Sequence, residues 1–226
     1  TYVYDKLGQL IRENDPHANK TTVYNYDRGG NILSCVEYAY TTGTLGAATQ
    51  TTAYTYGDSN WKDKVTAIGG KTITYDAIGN PLTYDGWTFT WKAGRMLASM
   101  VKSGTNAQFT YDHNGLRIKK VVNGVTTNYT LNGKNVVHMT QGSHDLHFFY
   151  DAQGKPGMVT YNDVDYFYVY NLQGDVVALI DANGTQVVEY GYDAWGYPIS
   201  KTGSLAATIG TLNPFRYRGY VYDEET

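Results

Sequence analysis

Eight tyrosine–aspartate dipeptides punctuate this chain, at Tyr4, Tyr26, Tyr75, Tyr84, Tyr111, Tyr150, Tyr192 and Tyr222, and six of the aspartates are followed by glycine three residues later. A motif copied at this density marks one supersecondary unit repeated along the chain. The spacing has a local cause. Aspartate at the first position of a turn can accept a backbone N–H, and glycine at the last can take positive φ without a Cβ clash. Turn roles are therefore assigned to Asp76 with Gly79, Asp112 with Gly115, Asp151 with Gly154 and Asp193 with Gly196. Asn171 with Gly174 is the same turn with asparagine in the first place.

Between the turns the pattern is that of strands. Ile73 and Tyr75 share one face, Leu82 and Tyr84 begin the return, and Trp87, Phe89 and Trp91 recur at period two. Asp85-Gly86, Asn123-Gly124 and Asn132-Gly133 read as tight hairpin turns. Aromatic positions recur irregularly at about 20 residues, which accommodates two strands and two turns per unit. Tyr 23, Trp 4 and Phe 6 supply strand formers, Gly 25 supplies turns, and Pro is only 5. The predicted fold is all-β: antiparallel hairpin repeats in a curved or spirally wound sheet. Roughly 20 strands about 4.8 Å apart give a strip on the order of 95 Å long, which closed into a ring would be about 30 Å across. Large rings on one side are expected to pack between neighbouring repeats. In VVALI (176–180) both faces are apolar, so this strand should be covered twice. Residues 1–226 read as one repeat segment, interrupted near 41–52 and 201–214 by Gly-, Ala- and Thr-rich stretches expected to be surface loops or short helical insertions on a sheet rim.

The chemistry classes are mostly excluded at this level. Eighteen Lys and Arg against 21 Asp and Glu leave a net charge of -3 and no basic tract, so nucleic acid is not expected as a partner. The aspartates recur at turn starts rather than as a converging acid–base pair, no G-x-S-x-G elbow occurs, and Cys35 has no recognisable histidine partner. The expectation is a protein that is not an enzyme and has no catalytic residues and no cofactor. His144 and His147 fall on opposite faces of an extended segment, and no H-E-x-x-H or paired-cysteine signature occurs, so no metal site is expected. Tyr166, Tyr168 and Tyr170 share one face and could stack on a sugar or meet a protein partner. Arg216 and Arg218, two residues apart, are expected on one strand face, paired with carboxylates or carbonyls. The N-terminal residues carry the repeat and no apolar leader, which suggests that any targeting signal lies outside this piece.

At YDAIGNPLTYD, YDHNGLRIKKV, YNLQGDVVALIDANG and above all NPFRYRGYVYDEET, the chain resembles the Rhs or YD-repeat family. The resemblance covers essentially the whole sequence. Its most specific part is the core-end motif Asn213, Pro214, Phe215, Arg216, Tyr217, Arg218, Gly219 and Tyr220. It implies a β-sheet strip wound into a hollow shell, as in bacterial polymorphic toxins, toxin-complex C components and teneurins. The implied function is an encapsulating wall segment of a secreted or cell-surface toxin, with the remaining shell and a C-terminal toxin cargo as partners. The family's self-proteolysis is not carried over to Asp223. An extracellular scaffold binding a carbohydrate or receptor is the alternative. A piece cut from such a strip is also expected to self-associate through its edge strands.

Overall fold

A computed structural model describes residues 1–225. Among them are twenty-one strands, one four-residue α-helix at Ile209–Leu212 and one 3-10 turn at Tyr217–Gly219. The strands form two sheets, one of seven from Tyr2–Tyr4 to Lys71–Thr72 and one of fourteen from Thr74–Tyr75 to Pro198–Thr202, and within each sheet sequential strands are neighbours, with antiparallel pairing as an array of hairpins requires. The chain divides into two compact units, Thr1–Thr90 and Trp91–Thr226. In the first unit the best-formed hairpins join Leu10–Asp15, Lys20–Tyr26, Ile32–Ala39 and Ala48–Thr55. The expectation of a surface insertion over 41–52 is corrected: from Ala48 onward the threonine-rich segment is a strand, with Thr51 opposite Val36 and Thr52 opposite Cys35. β-Branched threonines suit a pleated, partly exposed surface.

The turns explain the repeat. At Asp112, the Oδ1 atom accepts the backbone N–H groups of Asn114 and Leu116, each at 2.9 Å. The Gly115 N–H then reaches the Asp112 carbonyl, and the Asp112 N–H the Leu116 carbonyl. The same set recurs at Asp5, Asp27, Asp76, Asp151, Asn171, Asp181 and Asp193, the acceptor atom being the Oδ1 each time. Each carboxylate or amide thus stands in for a strand partner to two donors that would otherwise face outward. A register shift follows at the preceding tyrosine, for example between Thr110 and Tyr111 and between Phe149 and Tyr150. Such bulges bend the strand and increase its local twist.

The tyrosine has its own partner. Tyr26 donates its hydroxyl to the Leu10 carbonyl at 2.7 Å, Tyr111 to Leu97 at 2.9 Å, Tyr150 to Val136 at 2.7 Å, Tyr170 to Pro156 at 2.6 Å and Tyr192 to Val176 at 2.8 Å. Each bond ties the end of one hairpin to the start of the strand before it. Burial pushes the Tyr150 hydroxyl pKa up to about 12, and it raises those of Tyr170 and Tyr192 as well. Two dipeptides depart from the aspartate turn. Asp85, at φ 47, and Gly86, at φ 80, form a two-residue turn, while Asp223 lies in an ion cluster.

Tight hairpins complete the ladder. Asn123 and Gly124, at φ 50 and 86, occupy a turn of the primed kind whose twist matches the strands. The turn expected at Asn132-Gly133 is displaced by one residue: Asn132 pairs with Asn135, so Gly133 and Lys134 are central and Gly133 supplies the positive φ. In the second unit one face carries a continuous core that includes Met139, Leu146, Phe148, Val159, Leu179 and Val188. In VVALI, both Ala178 and Leu179 are buried although they are adjacent and face opposite ways. No helix among the described residues is long and apolar enough to cross a membrane.

Two outcomes are expected. Tyr150→Phe should lower unfolding free energy by about 1 kcal/mol, because the Val136 carbonyl loses its side-chain donor; urea titration followed by circular dichroism measures it. The turn carboxylates give an acid limit. The Asn31 side chain and the Leu116 N–H hold Asp27 and Asp112 respectively below the usual carboxylate range. A carboxylate with a lowered folded pKa contributes stability above its unfolded value, near 3.8, and that stability is lost as pH falls through the folded value. Protection of the Asn114 and Leu116 amides, measured as exchange relative to the unstructured rate at the same pH, should therefore fall below about pH 4 in the wild type and be low already at neutral pH in Asp112→Ala.

Candidate functional site at the core-end motif

After the strand Pro198–Thr202 the chain enters a short helix at Ile209–Leu212, one of the two forms expected for 201–214, and the correction is to its surface placement. Ile209 is fully buried, Asn213 and Pro214 are buried, and Leu205 and Leu212 pack against the same core. The signal was in the spacing. Leu205, Ile209 and Leu212 are four and three residues apart, one apolar helical stripe inside a stretch whose small polar residues resemble a loop.

Phe215 follows into the core, edge-on to Phe148 at 5.1 Å, Tyr168 at 6.1 Å and Tyr150 at 6.2 Å between ring centroids. Asn213 is fixed from both sides: its Oδ1 accepts the Tyr168 hydroxyl at 2.7 Å, and its Nδ2 donates to the Phe215 carbonyl at 3.0 Å. Arg216 fills the space between. Its guanidinium donates to the Gly210 carbonyl at 2.6 Å, to the Tyr190 hydroxyl at 3.0 Å and to the Asn213 carbonyl, and it lies 4.1 Å from the centroid of the Tyr190 ring. Arg216 is 4% exposed, so these acceptors replace most of the water a guanidinium would hold. Burial also raises the pKa of Tyr190, and that of Tyr168 well above the tyrosine range, which keeps both hydroxyls protonated as donors.

Arg218 does not share a strand face with Arg216. It sits in the 3-10 turn at φ 51, and its backbone N–H donates to Asp175 Oδ1 at 3.0 Å. The reason is the chain reversal around it, in which the Gly219 N–H donates to the Arg216 carbonyl and the Arg216 N–H to the Tyr220 carbonyl. Tyr217 packs over Gly196, where any Cβ would overlap the ring, while Tyr220 is 71% exposed. Gly196 therefore serves its own turn, at φ 87, and the seat of Tyr217 at once.

The last described residues carry a carboxylate cluster. Asp223 lies 2.7 Å from Arg117 and 3.2 Å from Lys120, and Glu225 lies 2.8 Å from Lys120. Glu224 pairs with Lys201 and approaches Arg216 at 3.5 Å. Burial pushes Lys120 toward its neutral form, but Tyr129, Glu225 and Asp223 outweigh it, so its pKa lies above the ordinary lysine value and the ammonium persists. No sequence signal linked Arg117 and Lys120 to a partner more than a hundred residues away. Among the described residues no buried side-chain polar atom lacks a hydrogen-bond partner.

The aromatic face expected to meet a sugar is occluded. Tyr166 and Tyr168 are each 8% exposed, and Tyr170 is half-buried with Lys155 over its ring. The strand turns that face toward the core, with Val159 opposite Tyr166 and Leu179 opposite Tyr168. The turn residues Asp76, Asp112, Asp151, Asn171 and Asp193 stay at separate turns. Three other groups do converge: His138, Asp145 and His147, on adjacent strands.

With the geometry described, comparison with known proteins gives the class. The Teneurin YD-shell family model matches residues 1–226, and the chain belongs to that family. A tRNA3(Ser)-specific nuclease WapA of Bacillus spizizenii and a tRNA nuclease WapA of Bacillus subtilis are each 36% identical over 99% of this chain. The chain spans 9% of the length of each of these relatives. Their names overturn the expectation of a protein that is not an enzyme. Among solved structures, a TcdB2–TccC3–Cdc42 complex aligns with a TM-score of 0.67 at 17% identity, and a Photorhabdus luminescens Tc holotoxin pore with 0.65 at 18%. Each alignment covers 99% of this chain and 13% of the other, and at that identity it establishes a shared fold.

Arg216→Met should lower stability by about 3 kcal/mol in urea unfolding, since it leaves buried carbonyls and the Tyr190 hydroxyl without their donor. Lys120→Met should cost less, about 1 to 2 kcal/mol, because its carboxylate partners can regain water. Limited proteolysis should show the difference in kind: Lys120→Met exposes peptide bonds after Pro214 while the strands stay resistant.

Proposed function

We propose that this chain is a wall segment of an encapsulating YD shell in a larger toxin-type protein, secreted or displayed at the cell surface. Its work is to keep a C-terminal cargo away from solvent and from the producing cell. One observation carries the reading: the first half of the core-end motif, Asn213 to Arg216, is a buried plug beside the buried Ile209, and Asp223 and Glu225 beyond it are held by Arg117 and Lys120. A wall must hold its backbone bonds internally and resist fraying where the chain leaves the strands. The family membership and the toxin-complex likeness support the same reading. One of the related structures is described as TcdB2–TccC3 without its hypervariable C-terminal region, which fits a constant wall and an exchangeable cargo.

The parent protein, on this proposal, carries tRNA nuclease activity, as the names of its relatives indicate. The test uses the full-length protein. Protease should leave the C-terminal region intact in the wild type and degrade it at least about tenfold faster in Arg216→Met, where the plug is loosened. Equal rates in the two proteins would refute containment. Cleavage of tRNA should be weak in the intact protein and rise when the C-terminal region is freed from the shell; no cleavage by the freed region would refute the nuclease assignment alone.

A further inference from the structure

The sheet face opposite the core carries a group that the shell reading does not use. Along the hairpin formed by Asn135–Gln141 and His144–Tyr150, Met139 pairs with Leu146, and both are buried. Strand alternation sends the residues beside them to the other face. His138 stands directly opposite His147, with Asp145 two residues before His147 on the same strand. The register brings together what linear spacing separates.

The geometry is that of a chelate. His138 Nε2 lies 3.1 Å from Asp145 Oδ2, and His147 Nε2 lies 2.9 Å from Asp145 Oδ1. The two imidazoles are stacked, 4.3 Å between centroids and 13° between planes. All three ligand atoms lie within 4.8 Å of one another. A zinc ion takes imidazole nitrogen at about 2.0–2.1 Å and carboxylate oxygen at about 2.0–2.2 Å, so tetrahedral ligands sit roughly 3.3 Å apart. The two nitrogen–oxygen separations are already near that value. Side chains 29%, 48% and 51% exposed can make the remaining rotation without moving the core.

We propose that His138, Asp145 and His147 form a cross-strand site for a borderline divalent cation of the zinc type. Two imidazoles and one carboxylate suit zinc, copper or nickel over magnesium or calcium, which prefer all-oxygen shells. A bound ion takes the lone pairs of both Nε2 atoms and replaces the His138–Asp145 hydrogen bond and the close His147–Asp145 contact. It leaves coordination positions for water. Its structural effect is to clip together two strands whose inner faces supply Met139, Leu146 and Phe148 to the core.

The test is isothermal titration of the tag-free 226-residue chain with zinc chloride, with magnesium chloride as control. The expected result is one saturable zinc equivalent with a dissociation constant below about 100 µM, no magnesium binding, and a zinc-dependent rise in Tm. His147→Ala and His138→Ala should each weaken zinc binding by at least the roughly 10- to 100-fold that loss of an outer-shell partner alone costs. Asp145→Asn should weaken it less. His113→Ala, at a distant turn, should leave it unchanged, and far-UV circular dichroism should be the same for all variants because the three side chains lie off the core. Absence of saturable binding in a folded wild-type chain, or retention of wild-type affinity in the folded His138→Ala/His147→Ala double variant, would overturn the proposal.

Discussion

Everything in this fold depends on how the tyrosine–aspartate turn spends its two side chains. The aspartate draws two backbone N–H groups into the turn, and the tyrosine carries a hydrogen bond to the strand that precedes its hairpin. The first interaction is local and fixes the bulge; the second is longer in range and fixes where that hairpin end sits on the strand before it. Neither is strong alone, at about 1 kcal/mol for a hydrogen bond of this kind. Repetition supplies the rest, because in a linear array each unit is stabilised mainly by its neighbours.

The same division explains what could be read from sequence. Asp112 and Gly115 announce their turn because both roles are satisfied within five residues, and Asp181 shows that the turn survives with isoleucine in place of tyrosine before it. The displaced turn at Gly133-Lys134 was less legible, since Asn132-Gly133 and Gly133-Lys134 are both acceptable centres and the choice was made by the bulge between Thr130 and Leu131. The inward turn of Tyr166 and Tyr168 was a question of which face meets the core, and alternation fixes partners on a face without naming the face. Family resemblance located the core-end motif, and the expected pairing of Arg216 with carbonyls holds, but which carbonyls it meets was not legible. The Gly210 carbonyl is delivered by a short helix that was expected on the surface and instead packs into the core.

Arg216 is an expensive way to close a core. A guanidinium at 4% exposure is tolerated because two backbone carbonyls, the Tyr190 hydroxyl and the Tyr190 ring converge on it. An apolar plug of similar volume would serve burial as well, but it would not dictate the path of the chain. The arginine satisfies helix and segment together, so the Asn213–Tyr220 turn has one arrangement in which no buried polar group is left over.

The two sheet faces of the second unit carry different obligations. On the core face, substitution is limited by Leu146, Val159, Leu179 and Val188, all fully buried, and by the tyrosines bonded across to earlier strands. On the opposite face the hairpin offers threonine, histidine and aspartate at positions where register alone determines who meets whom, as His138 meets His147. A β-strip therefore separates constraint from freedom by parity: every second residue maintains the wall, and the residues between can acquire chemistry without disturbing it. That is why a site invisible to linear motif searching can sit in the middle of the most regular part of the chain.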